Sequence, residues 1–544
     1  MKNIKINISQ HINLVLQELS YPSIEFNLTQ PKNSKFGDLS SNIPLLIANR
    51  LKINPLSVGE LILQRLENNK IPNIDGISIA SPGFINFKIS NIFFQKQIDI
   101  IIGENIKYGK GSIGKGKLAN VEFVSANPTG PLTVGHGRNA VIGDTIAKIL
   151  EWQDFNVTRE YYFNDAGRQM RVLGQSVEAR YFEILKKDFD FPKDGYQGKY
   201  IYNLAKEIFE KKGNNINRGD KIFKEYAEKT IFIKIKKSLM NLGISFDQFT
   251  NEKTFYKNGD IDDLLNNLSK KKLIYKKDNA TWFKTTALGK DQDRVYIKSS
   301  GEPTYRVPDT AYHINKIKRK YDLIIDVFGA DHADTYPDVL MALDALGYET
   351  NHIKILLYQF VTLIRDGEKV KMSTRQANYV TLDELIQELG SDVVRYFFIM
   401  RSINSHLDFD IGVAADQSDK NPVFYLQYAY ARICNIMKRA EQLGFISDFK
   451  YDYTLINDQD EINMLKHMAQ FPEFIDLSYE NLEPQYIATY LQQLASFFHK
   501  FYGNCKVISE NKDLTKSRIK LINAVKIILY NGLNILGIKS PERM

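Results

Sequence analysis

The chain has 544 residues, too many for one hydrophobic core and enough for about three or four domains. Its 72 basic and 64 acidic side chains leave a formal charge of +8, a mild excess that is compatible with a nucleic-acid partner but not diagnostic of one. The two cysteines, Cys434 and Cys505, lie far apart and outside any CxxC, which argues against a disulfide scaffold and against structural zinc. No continuous apolar run is as long as a membrane span, and Met1-Lys2-Asn3-Ile4-Lys5 lacks the apolar core of a signal peptide. No membrane partner is therefore expected, and a reducing cytoplasm is the expected compartment.

Residues 1–90 show helical spacing at Ile12, Val15, Leu16 and Leu19 and again from Leu45 to Leu51, with a short strand predicted near 84–87. The stretch from Gly109 to Lys117 reads as a linker. A phosphate loop is the alternative, although the Gly-x-x-x-x-Gly-Lys-Ser/Thr spacing is not met. Val121 to Val124 suits a buried strand, and the Pro128-Thr129-Gly130-Pro131 loop ends it. Gly135-His136-Gly137 then opens a helix whose apolar positions are Val141, Ile142, Ile146, Ile149 and Leu150. Gly135 allows close approach of a ligand, and His136 falls in the first turn, where free N–H groups and the helix dipole attract anions.

Residues 118–365 alternate strand and helix patterns, as a parallel α/β sheet requires; 323–328 and 353–358 are near-continuous apolar runs. Ligands of such sheets gather at the carboxyl ends of strands, which favours Glu122 to Asn127 and Gly329 to His332. The polar, Lys-rich region 190–280 reads as an insertion that breaks the sheet. Its clusters Lys234, Lys236, Lys237 and Lys270–Lys272 form a solvated face or touch RNA phosphates. Residues 368–378 concentrate Lys369, Lys371 and Arg375 beside Ser373. Beyond about 410 the pattern is helical, with Glu483-Pro484 as a helix start and a last helix predicted over 517–536.

The segments around His136 and around Lys371-Met372-Ser373-Thr374-Arg375 together resemble the HIGH and KMSKS motifs of class I aminoacyl-tRNA synthetases. Further stretches narrow the resemblance to the bacterial-type arginyl-tRNA synthetase family: Tyr161 to Gly167, Asp293-Arg294-Val295, Pro303-Thr304-Tyr305, Asp309 to His313, Gly329 to His332 and Asn421 to Ala429. It spans nearly the whole chain and is weakest between about 185 and 290. Thr133 replaces the first His of HIGH, and Thr374 replaces the second Lys of KMSKS.

This resemblance implies a Rossmann-like α/β catalytic domain with a parallel sheet at 111–410, carrying insertions at about 185–290. It implies an α+β N-terminal tRNA-binding domain at 1–110 and an all-α anticodon-binding domain at 411–544. The implied reaction joins L-arginine to tRNA(Arg) through an arginyl-adenylate, using ATP with Mg²⁺ and no zinc, in a monomer. His136, Lys371 and Ser373 are the implied catalytic residues, and Thr133, Gly135, His136, Lys371 and Met372 the ATP contacts. The implied arginine contacts are Glu122, Ser125, Asn127, Tyr305, Asp309 and His332. Tyr425, Tyr428 and Arg432, with Tyr430, are candidates for stacking on unpaired bases.

Activation attacks the α-phosphate of ATP with a carboxylate. The protein needs no nucleophile; it must align the reactants and neutralise phosphate charge. A guanidinium is best held by carboxylates, which points to Asp309, with Tyr305, for that end of the substrate. Ser125 and Asn127 would orient the ammonium and carboxylate end, with Glu122 among the anionic groups. Each residue also has a plainer reading: Tyr305 as core, Asp309 as a helix cap, Asn164-Asp165 as an Asx turn, and the C-terminal tyrosines as core. Other class I synthetases fit less well. Cysteinyl enzymes need zinc-ligand cysteines, large editing insertions do not fit 544 residues, and glutamyl enzymes need a cationic pocket. A small nucleotidylyltransferase and a non-catalytic RNA-binding paralogue are the remaining alternatives.

Overall fold

The computed structural model describes residues 1–165, 167–370, 380–445 and 450–544. The N-terminal unit begins with helix Lys2–Glu18, which buries Ile4, Ile8, Ile12, Val15 and Leu16 along one face. Helices Ile43–Leu51 and Pro55–Asn68 follow, the second capped by the Asn54 side chain. They cover a four-stranded antiparallel sheet in the order Leu28–Thr29, Leu39–Ser41, Phe84–Ile89, Ile74–Ala80. Only the Phe84 strand was legible in the sequence. Its partners are two or three residues long or, as in Ile74–Ala80, half-buried without clear alternation.

The central sheet has five parallel strands: β1 (Leu118–Glu122), β2 (Asn156–Phe163), β3 (Gln248–Asn251), β4 (Leu323–Gly329) and β5 (Ile353–Tyr358), in the order β5-β4-β1-β2-β3. The chain moves outward from β1 to β3, then returns across the sheet to β4. The order therefore reverses between β1 and β4, and ligands of open α/β sheets bind at such a crevice. Helix α1 (Val134–Trp152) joins β1 to β2, with Val141, Ile142, Ile146, Ile149 and Leu150 all buried. Gly143 is obligatory there, because a Cβ would lie 2.2 Å from the Phe123 ring.

Contrary to the expectation from sequence, the Lys-rich insertion does not break the sheet. It packs helices Lys199–Lys212 and Ile222–Asn241 on Gly167–Ile184 and then supplies β3 as the sheet edge. Strands Ile274–Lys277, Ala280–Phe283 and Arg294–Ile297 form a separate antiparallel sheet that leads into helix α2 (Arg306–Lys318).

The C-terminal region is helical, and includes α3 (Pro422–Gln442), Gln485–Asn504 and α4 (Lys512–Leu536). Pro484 stands at the N-cap and not in the first turn, and α4 begins five residues before the predicted start because Asn511 caps it. By length and composition α4 is apolar enough to cross a membrane, but it also carries Lys516, Arg518, Lys520 and Lys526 and lies mostly buried in the core. Ion pairs Lys466–Asp38 at 2.6 Å and Lys5–Glu473 at 2.7 Å join this region to the N-terminal unit.

Arg395 bolts three regions together. Its buried guanidinium donates to the Leu536 carbonyl at 3.0 Å, the Leu242 carbonyl at 2.9 Å and Asp144 of α1 at 2.6 Å. Removing one partner of a buried pair typically costs about 3–5 kcal/mol, because the other charge stays buried. Arg395→Ala should therefore lower the thermal midpoint well beyond a surface Arg→Ala control, and scanning calorimetry of both variants measures it.

Candidate active site

Strand β1 ends at Glu122, and the chain leaves the sheet through Val124 and Ser125, whose φ angles are +67° and +43°. Left-handed backbone is uncommon for non-glycine residues and an outlier for valine, so it persists only where its surroundings over-determine it. The Val124 N–H donates to Asn139 Oδ1 at 2.6 Å, and Asn139 Nδ2 donates to the Val327 carbonyl at 2.8 Å. Asn139 of α1 thus ties the ends of β1 and β4. The Tyr161 hydroxyl donates to the Ala126 carbonyl at 2.7 Å.

These ends enclose a cavity of about 610 Å³. Glu122, Ser125, Asn127, His136, Tyr305, Asp309 and His332 all line it, so residues from positions 122 to 332 meet at the switch point. Ser125 Oγ donates to Glu122 Oε1 at 2.8 Å and accepts from the Tyr162 N–H at 3.1 Å. Asn127 accepts from the Asn164 N–H at 3.2 Å and donates to Gln169 at 2.9 Å. Tyr305 is 62% exposed at the N-cap of α2, so it is no core aromatic. The His332 ring stacks on Phe328 with centroids 5.1 Å apart.

Beneath the cavity lies a buried charge cluster that the sequence did not disclose. Lys316 Nζ donates to Glu122 at 2.5 Å and to Asp326. Glu122, expected among the pocket's free anions, is thereby committed to Lys316 and Ser125. His313 faces the Asp309 carbonyl with Nδ1 at 2.8 Å and Asp326 with Nε2 at 2.9 Å. Both of its ring nitrogens meet acceptors, so both must donate and the ring is an imidazolium. Burial disfavours that charge, but Asp326 outweighs burial and raises the His313 pKa.

Apart from the exposed Asp331 at the cavity wall, two carboxylates remain for a ligand. Asp309 lies in the first turn of α2, three residues past its first helical position, so it is not the cap, and among the described residues no side chain pairs with its carboxylate. Burial, reinforced by Glu122 and Glu252, pushes its pKa up to about 7. Glu252 follows β3 and accepts from the Tyr162 hydroxyl at 2.9 Å; burial raises it to about 7 as well. Sequence reasoning missed Glu252, since its signal is a position at a strand's carboxyl end and β3 was read as part of an insertion. Two ionisable carboxyls without a cation suit a positively charged guest.

His136 is the third residue of α1, and its Nδ1 accepts from the Thr133 N–H at 3.2 Å. Its proton therefore sits on Nε2, and burial lowers its pKa to about 4. It brings a neutral hydrogen-bond donor to the cavity. Thr133 is the N-cap of α1, and the position where a Gly135 Cβ would stand is open, with only Thr133 Oγ1 nearby at 3.7 Å. Lys371, Met372, Ser373, Thr374 and Arg375 lie outside the described residues. The segment after them is anchored at the site: Thr381 bridges Thr133, and the Leu382 N–H donates to the Leu132 carbonyl at 2.9 Å.

On α3, the Arg432 guanidinium lies 4.3 Å over the Tyr428 ring and 4.8 Å over Tyr502, and Phe424 stacks on Tyr428. Tyr425 packs against His499 at 4.5 Å. Tyr430 is buried in the core and cannot stack on a base.

Comparison with known proteins agrees with this architecture. Residues 2–89 match the model of the arginyl tRNA synthetase N terminal domain, 97–395 that of the class I (R) tRNA synthetase catalytic domain, and 426–544 that of the DALR anticodon binding domain. The arginine–tRNA ligase of Salinibacter ruber is 45% identical over 539 residues, 96% of each chain. That of Chlorobium limicola is 47% identical over 528 residues, 95% of this chain and 96% of the relative. The Thermus thermophilus arginyl-tRNA synthetase structure shares the fold with a TM-score of 0.77 at 19% identity, covering 99% of this chain and all of that one. The Plasmodium falciparum structure gives 0.74 at 21%, covering 99% of each. With such identity maintained from the N-terminal unit through the helical C-terminus, the chain belongs to the arginyl-tRNA synthetase family.

Proposed function

We propose that this chain is an arginine–tRNA ligase that activates L-arginine with ATP and transfers it to tRNA(Arg). The observation that carries the reading is the pair Asp309 and Glu252, two carboxylates that face one cavity with no cation of their own. A guanidinium is planar and always charged, and it supplies the missing positive charge there. Tyr305 closes over that end. Ser125, Asn127 and His332 take the ammonium and carboxylate end, with Glu122 acting through Ser125.

ATP enters from the α1 side, where the first-turn N–H groups and the Nε2–H of His136 offer donors to its phosphates. Thr133 and Gly135 shape that entrance. Mg²⁺ arrives as part of the nucleotide substrate. Lys371 and Ser373, with Met372, act on the phosphates, as the motif resemblance implies. The tRNA is held by 1–110 and 411–544, with Tyr428 and Arg432, flanked by Tyr425, offering stacking surfaces on α3. The catalytic unit is 111–410. Pyrophosphate exchange with ATP and arginine, with and without tRNA(Arg), tests the whole reading; vigorous exchange with glutamate would reject it.

Four expectations follow for the site. Asp309→Asn keeps shape but removes charge, so arginine affinity should fall by about two to four powers of ten, and discrimination against neutral citrulline should shrink with it. Arginine KM and citrulline inhibition on that variant measure this. Protons compete with the guanidinium once Asp309 and Glu252 begin to protonate near 7, so arginine KM should climb as pH falls from 8 to 6. The rise is about tenfold per pH unit for each carboxyl below its pKa, and a pH-flat KM would contradict it. His136→Ala should slow activation by about 10²–10³. Lys371→Ala should lower turnover while leaving arginine KM nearly intact, as expected for a charge engaged in the transition state.

A further inference from the structure

Lys316 is fully buried, and no part of it reaches the cavity surface. It nevertheless belongs to a closed circuit of contacts around the cavity wall. Lys316 bonds Glu122, Glu122 accepts from Ser125 Oγ, and Ser125 Oγ accepts from the Tyr162 N–H. The Tyr162 ring stacks on Tyr312 with centroids 4.4 Å apart, and Lys316 Nζ lies 4.4 Å over the Tyr312 ring. Glu122 and Asp326 are direct neighbours in the β1–β4 register, so Lys316 also separates two buried like charges.

We propose that Lys316 is a positioning residue for the amino-acid substrate. It holds Glu122 in place, and through Ser125 Oγ it fixes the left-handed corner at Val124–Ser125. Both Glu122 oxygens accept, one from Lys316 and one from Ser125, so each contact orients the other. Without the ammonium, Glu122 faces Asp326 across neighbouring strands, and one of the two must take up a proton or move away. Either change releases Ser125 Oγ, the contact that restrains a backbone conformation with little intrinsic stability. Asp309 and Lys316 are seven residues apart on α2, two turns along one face. One helix thus presents the guanidinium acid directly and controls the opposite end of the substrate through Glu122. The proposal rests on the cavity being the arginine site.

The test uses the full-length enzyme with Lys316→Met, Lys316→Met/Asp326→Asn and, in parallel, Asp309→Asn, read by ATP–pyrophosphate exchange and thermal midpoint. Lys316→Met should raise arginine KM about tenfold or more, the loss expected for a charged hydrogen bond, with ATP KM within about twofold. The double variant removes the facing like charge, so its midpoint should recover toward the parent while arginine KM stays high. It also keeps the test readable if the single variant does not fold. An arginine KM that recovers together with the midpoint would make Lys316 purely structural and overturn the proposal, as would an unchanged arginine KM in a folded Lys316→Met enzyme. If Asp309→Asn raises arginine KM and the Lys316 variants do not, only this proposal falls. If Asp309→Asn is silent, the assignment of the cavity falls first and takes the proposal with it.

Discussion

Glu122 and Asp326 stand side by side on adjacent parallel strands, buried, at the point where the strand order reverses. Two carboxylates in that position cannot both be ionised without a counter-charge, and an isolated buried charge is expensive. Lys316 and the imidazolium of His313 supply two positive charges from α2. The β1–β4 crevice can form only with α2 docked in one register. That register then places Asp309, one turn before His313, over the cavity. Balance beneath the floor leaves Asp309 and Glu252 as surplus negative charge above it, so the cavity's preference for a cation follows from the same arrangement that holds the sheet together.

The other side of the crevice depends on α1. Gly143 lets the helix approach Phe123, and Asn139 spans from the Val124 N–H to the Val327 carbonyl. Asp144, one turn further on, meets Arg395, which also grips the ends of the insertion helix and of α4. One face of α1 thus organises substrate-facing backbone while the next turn locks the surrounding units. The neutral state of His136 fits that burial: a helix N-terminus already offers partial positive charge, and a second full charge there would need desolvation.

Much of this could be read from residues in order. Periodic burial predicts Lys2–Glu18 and α1, and apolar runs predict β4 and β5, because each pattern reflects a face buried along a single element. His136 in a first turn was legible for the same reason, since a glycine turn and a helix start are local events. Less was legible where burial is two-sided or brief. The strands Leu28–Thr29 and Leu39–Ser41 are too short to show a period, and β3 is hidden in a Lys-rich stretch because only its edge pairs with β2. Glu252 was missed with it.

By itself the sequence determined the family, the order of its three regions, and which residue types surround the cavity, since these rest on local pattern and on motifs quoted residue by residue. It could not say which carboxylates stay free for a ligand. Glu122 and Asp309 both stood out along the chain as candidate anions, and Glu252 did not stand out at all. Only the fold pairs the first with Lys316, 194 residues away, and leaves the other two facing open space. Ionisation and availability depend on distance to counter-charges and on loss of water. Both are set by packing between elements remote in sequence, so tertiary structure alone decides them.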